Sequence, residues 1–528
     1  MYFISQIKRR SGKIGEVLLG VDLGTTSVKV VAYTLDGRKV AESEKEYKTF
    51  HPRPDWAEQD PLEWIRALFT SMRKTLIEVR KKGLKIEGLC TTGQREGVVP
   101  LSERGTVLSK CIIWMDQRST SESIYMTKVL GVREIYRLTG LRPSPNFTAA
   151  KLIWLKKHSP LVYGKTRVFL QPKEFLNYFL TGIICSDPSL ASRTMLFDIR
   201  KLEWSEELAE VFGLSLEKMP EVRPSDDVIG YVKDDVARKL GLEKPVPVIN
   251  GGGDRPCEAL GGGVIVRGVA GESTGTATNV MMSVEEPFLD PKMRFLCSGH
   301  VLKNKWLLEG GTSPTGAILR WFRDNLAFPE VQEARKRGLN PYDIIVEEAE
   351  RVAPGSEGLI MLPFFMGSKA IRWNPYLRGA FIGLTLGHTR AHIARSIMEG
   401  VAFLCKEIFE AYEDAGLYIK EVRLLGGAAK SILWAKIKSS VWEKRVLVLK
   451  EHDAAALGAA MLAGVGLNVF KDYEEAVKRM VAVNVVFKPI TEWVTVYRKL
   501  YKKYIQYCNA LEALLNRNKW FNQSFLQR

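Results

Sequence analysis

Val21-Asp22-Leu23-Gly24-Thr25-Thr26-Ser27-Val28-Lys29 decides the fold: an apolar run feeds an aspartate, a Gly-Thr-Thr-Ser turn follows, and a second apolar run begins. Val17 to Val21 and Val28 to Tyr33 have strand length, so the stretch reads as a β-hairpin. Its short turn leaves backbone N–H groups and the hydroxyls of Thr25, Thr26 and Ser27, with Lys29 just beyond, facing an anion such as phosphate. Asp22 stands at the strand end, where a carboxylate holds Mg²⁺ through water while phosphate oxygens complete the octahedron.

The same logic returns downstream. Gly271-Glu272-Ser273-Thr274-Gly275-Thr276-Ala277-Thr278 runs into the apolar Val280-Met281-Met282, which predicts a second hydroxyl-rich hairpin and suggests duplication. A third small-residue stretch, Leu424-Leu425-Gly426-Gly427-Ala428-Ala429-Lys430-Ser431, follows a strand-like run and precedes a helical pattern. Glycines there let backbone approach a flat ligand such as adenine. First phosphate loop, second phosphate loop, adenosine loop: this order resembles that of the sugar kinase, Hsp70 and actin superfamily.

With 528 residues, 46% of them hydrophobic, the chain is too long for one ordinary core and has apolar material for two domains. No run of eighteen apolar residues occurs, so no membrane partner is expected. Seven scattered cysteines without a Cys-x-x-Cys pair predict reduced thiols and a cytoplasmic address. His388 and His392, at helical spacing, lack a Glu or Cys companion at ligand spacing and read as solvated helix residues. The net charge of +17 is spread between acidic residues along the chain, so a dedicated nucleic-acid groove is not indicated. A nucleotide substrate also benefits from that charge.

Residues 1–16 read as an N-terminal extension with a basic start. Residues 17–253 alternate strand-like runs, such as Ile86 to Thr91, with helical ones around Ala149 to Lys157 and Pro172 to Leu180. Val246 to Asn250 reads as a buried strand ending in the turn Gly251-Gly252-Gly253-Asp254, taken as the seam. Residues 254–528 form a second α/β domain. Its expected strands are Val301 to Leu308, Leu359 to Phe365, Val422 to Leu425 and Val446 to Leu449, with a long helix from Thr389 to Ala415 and a C-terminal amphipathic helix from Glu492 to Asn516.

Gly379-Ala380-Phe381-Ile382-Gly383-Leu384, followed by His392-Ile393-Ala394-Arg395-Ser396-Ile397-Met398-Glu399, resembles the second signature of the FGGY carbohydrate kinases. Thr148 to Leu155 is similar to the first. Trp56 to Pro61 and Ile113 to Arg118 look like segments common in xylulokinases. The resemblance implies two ribonuclease H-like domains flanking a deep cleft, as in actin and Hsp70, with sugar against the first and ATP against the second. It places Asp254 as general base, Asp22 as the Mg²⁺-associated carboxylate, and Thr25, Thr26 and Ser27 on the first phosphate hairpin. Gly275 and Thr276 fall on the second hairpin, Gly316 and Arg320 on nucleotide-contacting positions, and Gly426, Gly427 and Ser431 on the adenosine loop. Many relatives carry Asn at the place of Ser431, and Glu where this chain has Asp453.

A sugar hydroxyl is a poor nucleophile near neutral pH, so a carboxylate must accept its proton as bonding to the γ-phosphorus develops. Asp254 is the candidate. For the acceptor, Gln94-Arg95-Glu96-Gly97 resembles the substrate segment of glycerol and autoinducer-2 kinases, with Asn146 where glycerol kinases have tyrosine and Arg255 directly after the base. Gly367-Ser368-Lys369-Ala370-Ile371-Arg372-Trp373-Asn374-Pro375 aligns with a Gly-Glu-Arg-x-Pro segment of xylulokinases and gluconokinases but lacks its Glu-Arg. A pentulose such as xylulose is the first expectation. A sugar acid or another polyol is the second, with Arg95, Arg255 and Arg372 as pocket cations. An actin- or Hsp70-like ATPase driving protein binding is the alternative of another class, and a homodimer is left open.

Overall fold

The computed structural model describes residues 15–312 and 315–517, so the basic start of the chain, and Ser313 and Pro314, lie outside the described residues. In the first half, β1 (Glu16–Leu23), β2 (Ser27–Thr34), β3 (Lys39–Glu46), β4 (Lys85–Gly93), β5 (Val228–Tyr231) and β6 (Pro247–Gly253) form one sheet, ordered β5-β6-β4-β1-β2-β3. In the second, β7 (Val269–Thr274), β8 (Thr278–Val284), β9 (Leu296–Gly299), β10 (Trp306–Gly311), β11 (Glu421–Leu425), β12 (Arg445–Leu449) and β13 (Val483–Phe487) form another, ordered β9-β10-β8-β7-β11-β12-β13.

Strand direction repeats along with order. β3-β2-β1 are antiparallel, β1, β4 and β6 are parallel, and β5 is antiparallel again. β10-β8-β7 are antiparallel, β7, β11 and β12 are parallel, and β13 reverses. Both expected hairpins therefore open a sheet of the same topology, and the duplication is real at the level of the backbone.

The helices that matter here are α1 (Pro61–Lys81), α2 (Thr148–His158), α3 (Pro172–Thr181), α4 (Asp254–Gly261), α5 (Gly316–Asn325), α6 (Arg390–Asp414), α7 (Ile432–Trp442), α8 (Ala454–Gly466) and α9 (Thr491–Arg517). Period-two alternation on β1 sends Val17, Leu19 and Val21 to a core with Trp64, Leu68 and Met72 of α1 and Phe175 and Leu176 of α3. Leu18 faces the other way, onto Cys257 and Leu260 of α4 and Leu457 and Met461 of α8. The run Ala456-Leu457-Gly458-Ala459-Ala460 makes that second layer thin. A Cβ on Gly458 would collide with the Cys257 carbonyl, and one on Gly20 with the Ala456 carbonyl, so the helices press backbone to backbone. α8 thus comes from the far half of the chain to cover the first sheet.

On the second sheet, α6, α7 and α9 bury Ile397, Val401, Ile408, Trp434, Ile437 and Tyr504. Within the second signature, Arg395 pairs with Glu399 at 2.9 Å in the interior, and Glu399 also accepts from Tyr497 of α9 and from the Gly355 amide. That stretch anchors helices.

Four expectations need correction. The strand expected from Val301 starts only at Trp306, because His300 Nδ1 accepts from the Val301 amide and closes a turn there; β9 lies just before. Trp114, which reads as the next strand-like position after Ile86 to Thr91, lies in a turn after a short strand. His388 precedes α6, with its Nδ1 accepting from the Thr385 amide, and no group of three or more metal-ligating side chains is found among the described residues. Finally, Gly251 to Gly253 are the end of β6, and Asp254 is the first residue of α4.

Candidate active site

The first hairpin turn, closed by the Gly24 amide donating to the Ser27 carbonyl at 3.0 Å, is braced from behind. Trp114 Nε1 donates to Thr25 Oγ1 at 3.1 Å and Gln59 Nε2 to the Thr25 carbonyl at 2.7 Å. Thr26 is exposed. Ser27 and Lys29 turn elsewhere than expected: the Ser27 hydroxyl donates to Glu44, and the Lys29 ammonium pairs with Asp453 at 2.7 Å, tying β2 to the start of α8.

The second hairpin turn presents Gly275 and Thr276 to solvent, and nothing would obstruct a Cβ at Gly275. Its base is locked by hydroxyls, Thr274 to Thr278 at 2.9 Å and Thr278 to Thr315 at 2.6 Å, over a buried Lys438–Glu272 pair at 2.6 Å. Gly316 opens α5 so close to this turn that a Cβ would run into the Gly275 carbonyl. Arg320, one turn further, is exposed. Gly426, in left-handed conformation at φ 72°, brings the third loop against the Thr274 carbonyl, and Gly427 faces open space. Ser431 caps α7 by accepting from the Trp434 amide at 3.3 Å. Three open glycines, Gly275, Gly311 and Gly427, mark a path where backbone can meet a ligand.

Asp254 stands where β6 becomes α4. Its side chain is 36% accessible, and its Oδ1 lies 3.3 Å from Arg95 Nε. The close approach needs Gly253, since a Cβ there would lie 2.5 Å from the Arg95 side chain. Arg95 grips Glu309 of β10 with two bonds, 2.8 and 2.7 Å; Glu309 also accepts from Asn279 and Ser298. Arg193 lies 3.4 Å from Glu309 and donates to Glu96 at 2.7 Å. Burial raises the Asp254 pKa above the usual carboxylate value, with Arg95 and Arg255 pulling the other way. Arg95 and Arg193 overcome burial at Glu309 and hold it ionised. Asp254 is thus the accessible carboxylate of the group and Glu309 the fully engaged one.

Asp22 tests the fit of a cation. Its Oδ1 is buried without a partner, and burial followed by the nearby charge of Asp254 pushes its pKa up to about 7. The Lys29 ammonium pulls the other way, and Asp453 and Glu258 add further negative charge, so the unpartnered carboxylate suits a divalent ion. Phosphate oxygens and water would complete the shell of a hard, oxygen-seeking ion.

The expected sugar-facing residues divide. Glu96, at φ 64°, presents its carboxylate to Arg193, while its carbonyl takes a 2.8 Å bond from Lys151 of α2. Asn146 is occupied by the protein: it donates to the Trp114 carbonyl at 2.7 Å and accepts from Ser144. Arg255 points away from the sugar side, to Glu258 at 2.6 Å and to Ser273 of the second hairpin at 3.0 Å. Arg372 is no pocket cation either, being spent on Glu407 and Glu512 behind the segment. Sequence reading passed over Glu309, an acid inside an apolar strand, and Lys151, a lysine among alanines; both patterns signal a buried partner. Arg193 carried no such sign.

Two lobes of repeated topology, each offering a hydroxyl-rich hairpin to one accessible carboxylate, define a phosphotransferase with an alcohol group as acceptor. Residues 17–261 match the N-terminal domain of the FGGY family of carbohydrate kinases and residues 271–467 its C-terminal domain, and the chain belongs to that family. A xylulose kinase of Bacillus subtilis (strain 168) is 30% identical, over 92% of this chain and 95% of its own. A glycerol kinase of Thermococcus onnurineus (strain NA1) is 31% identical, over 92% of this chain and 96% of its own. The crystal structure of gluconate kinase from Lactobacillus acidophilus shares the fold at a TM-score of 0.87 and 25% identity, across 95% of this chain and 99% of that one. The chain is therefore a carbohydrate kinase with ATP as phosphate donor, and the alternative of a protein-binding ATPase falls away. No helix among the described residues is long and apolar enough to cross a membrane, and all seven cysteines are buried and unpaired.

Proposed function

We propose that Asp254 is the general base of this kinase and that the acceptor is an open-chain, polyhydroxylated sugar compound lying against Arg95, Glu96 and Trp114. One observation carries the reading: the Asp254 carboxylate is accessible, while the arginines around it, Arg95, Arg193 and Arg255, are already paired with other acids. A raised pKa keeps it basic enough to take a hydroxyl proton as the oxygen attacks the γ-phosphorus. Thr25, Thr26 and the turn at Gly275 and Thr276 then offer donors to the phosphate oxygens. Asp22 would hold Mg²⁺, which supplies charge neutralisation to the phosphates. Gly316, Arg320, Gly426 and Gly427 border the nucleotide path, whereas Ser27, Lys29 and Ser431 act one step removed, by bracing the hairpin, α8 and α7.

Two acceptors meet these demands. A pentulose such as xylulose is favoured by the segments Trp56 to Pro61 and Trp114 to Arg118, and by the likeness to a xylulose kinase. A sugar acid has the same row of hydroxyls and adds a carboxylate, which requires an unpaired cation. Arg95, Arg255 and Arg372 do not supply one. ADP release measured with ketopentoses, polyols and sugar acids tests the reading: turnover must depend on acceptor and Mg²⁺ together, and ATP hydrolysis indifferent to every acceptor would overturn it.

A further inference from the structure

Lys369 is the exception to the pairing seen around Glu96 and Arg193. Its backbone belongs to the segment Gly367 to Asn374, docked on the end of β10 by the Ala370 amide donating to the Gly311 carbonyl at 3.1 Å. The same segment is fastened from behind, where Arg372 binds Glu407 at 2.8 Å and Asn374 donates to Glu512 at 3.0 Å. With its rear committed, the segment extends the Lys369 side chain toward the first lobe. The ammonium lies 5.9 Å from the Trp114 ring, and Glu96 and Arg193 are the charges it feels most. The residue is solvent-accessible, and among the described residues no carboxylate lies within ion-pair distance of it. By contrast Arg95, Arg193, Arg255 and Lys29 all have acid partners.

We infer that Lys369 receives the carboxylate of the acceptor, and that this kinase prefers polyhydroxy carboxylates, sugar acids, over neutral ketoses. Successive contacts order the charges Asp254, Arg95, Glu309, Arg193 and Glu96, with Lys369 beyond Glu96, and an extended acceptor would follow that order. An extended acid with its far hydroxyl at Asp254 would present its carboxylate to the only one of these six groups that lacks an opposite charge in contact. Surroundings that partly desolvate Lys369 lower its pKa, and a substrate anion would offset that cost. The chemistry at Asp254 is unchanged: the substrate O–H proton passes to the carboxylate, the oxygen bonds to the γ-phosphorus, and ADP leaves with the electron pair of the broken P–O bond.

This inference rests on the kinase reading above, and the test separates the two. Steady-state kinetics with a six-carbon aldonate and a ketopentose would be compared for the native chain, Lys369→Gln and Lys369→Arg, with acceptor binding measured by calorimetry. The native chain should favour the aldonate by about tenfold or more in kcat/KM, and Lys369→Gln should erase that through KM and Kd, a loss of about 10–100-fold for a truncated charge pair. Lys369→Arg should retain part of the preference, and the ketopentose and ATP constants should stay within about threefold. A native preference for the neutral sugar, or an equal loss with every acceptor, would overturn the inference while leaving the kinase standing. Absence of acceptor-dependent turnover with any compound would overturn both.

Discussion

At Asp254, the base in our proposal, two demands meet: it must be reachable, and it must hold a proton well enough to take one from an alcohol. The glycines before it solve the first by thinning the wall, and burial solves the second. Asp22 shows the same physics in a stronger form. Between its unfolded value of 3.8 and its folded value of about 7, the folded chain keeps a proton that the unfolded chain releases, so this residue's contribution to stability falls as pH rises across that window. Thermal unfolding of the ligand-free chain against Asp22→Asn, from pH 4 to 7.5, should therefore show the native protein losing ground to the variant as pH rises. Parallel curves would contradict the assignment. Arg255 is reassigned by its contacts. Since it joins Glu258 and Ser273, Arg255→Ala should raise KM for ATP about tenfold, the worth of one charged hydrogen bond, and leave the ranking of acceptors alone. A changed ranking with unaltered ATP affinity would return Arg255 to the sugar pocket.

At the scale of elements, the hairpins were legible because continuous apolar runs of strand length on either side of a Gly-Thr turn have few other ways to bury themselves. β9 was not, since Leu296-Cys297-Ser298-Gly299 is short and half small or polar, and it exists by pairing with β10. α8 carries a small-residue run, and its place against the first sheet is not legible in the sequence, because a helix carries no record of which distant sheet it will cover. Its seam with α4 admits no side chain at Gly458. Gly458→Val should cost about 1–3 kcal/mol or more by overpacking, read as a lower denaturant midpoint in chemical unfolding. An unchanged midpoint would mean that the helices separate freely.

Across the whole molecule, the site is a meeting of segments far apart in sequence. Asp254, Asp22 and the loop glycines were legible because each sits in a short motif whose chemistry is local. The pairings were not: Arg95 and Glu309 are 214 residues apart, and a lone sequence shows charges without showing which are consumed. That is why three arginines looked free to pair with an acceptor carboxylate, although each is already paired within the protein. The lobes are joined by the Arg95–Glu309 and Arg193–Glu309 contacts, which fasten two arginines of the first lobe to a strand of the second sheet. Closure around substrates would exclude water that otherwise competes as acceptor.

The central claim is that a single carboxylate at this junction takes the acceptor's proton. Rapid-mixing measurement of one round of phosphoryl transfer, with ATP binding determined alongside, compares the native chain with Asp254→Asn. The account predicts transfer slowed by about 10²–10⁴-fold, the range for loss of a general base, with ATP affinity nearly unchanged. Transfer at the native rate in Asp254→Asn would contradict it.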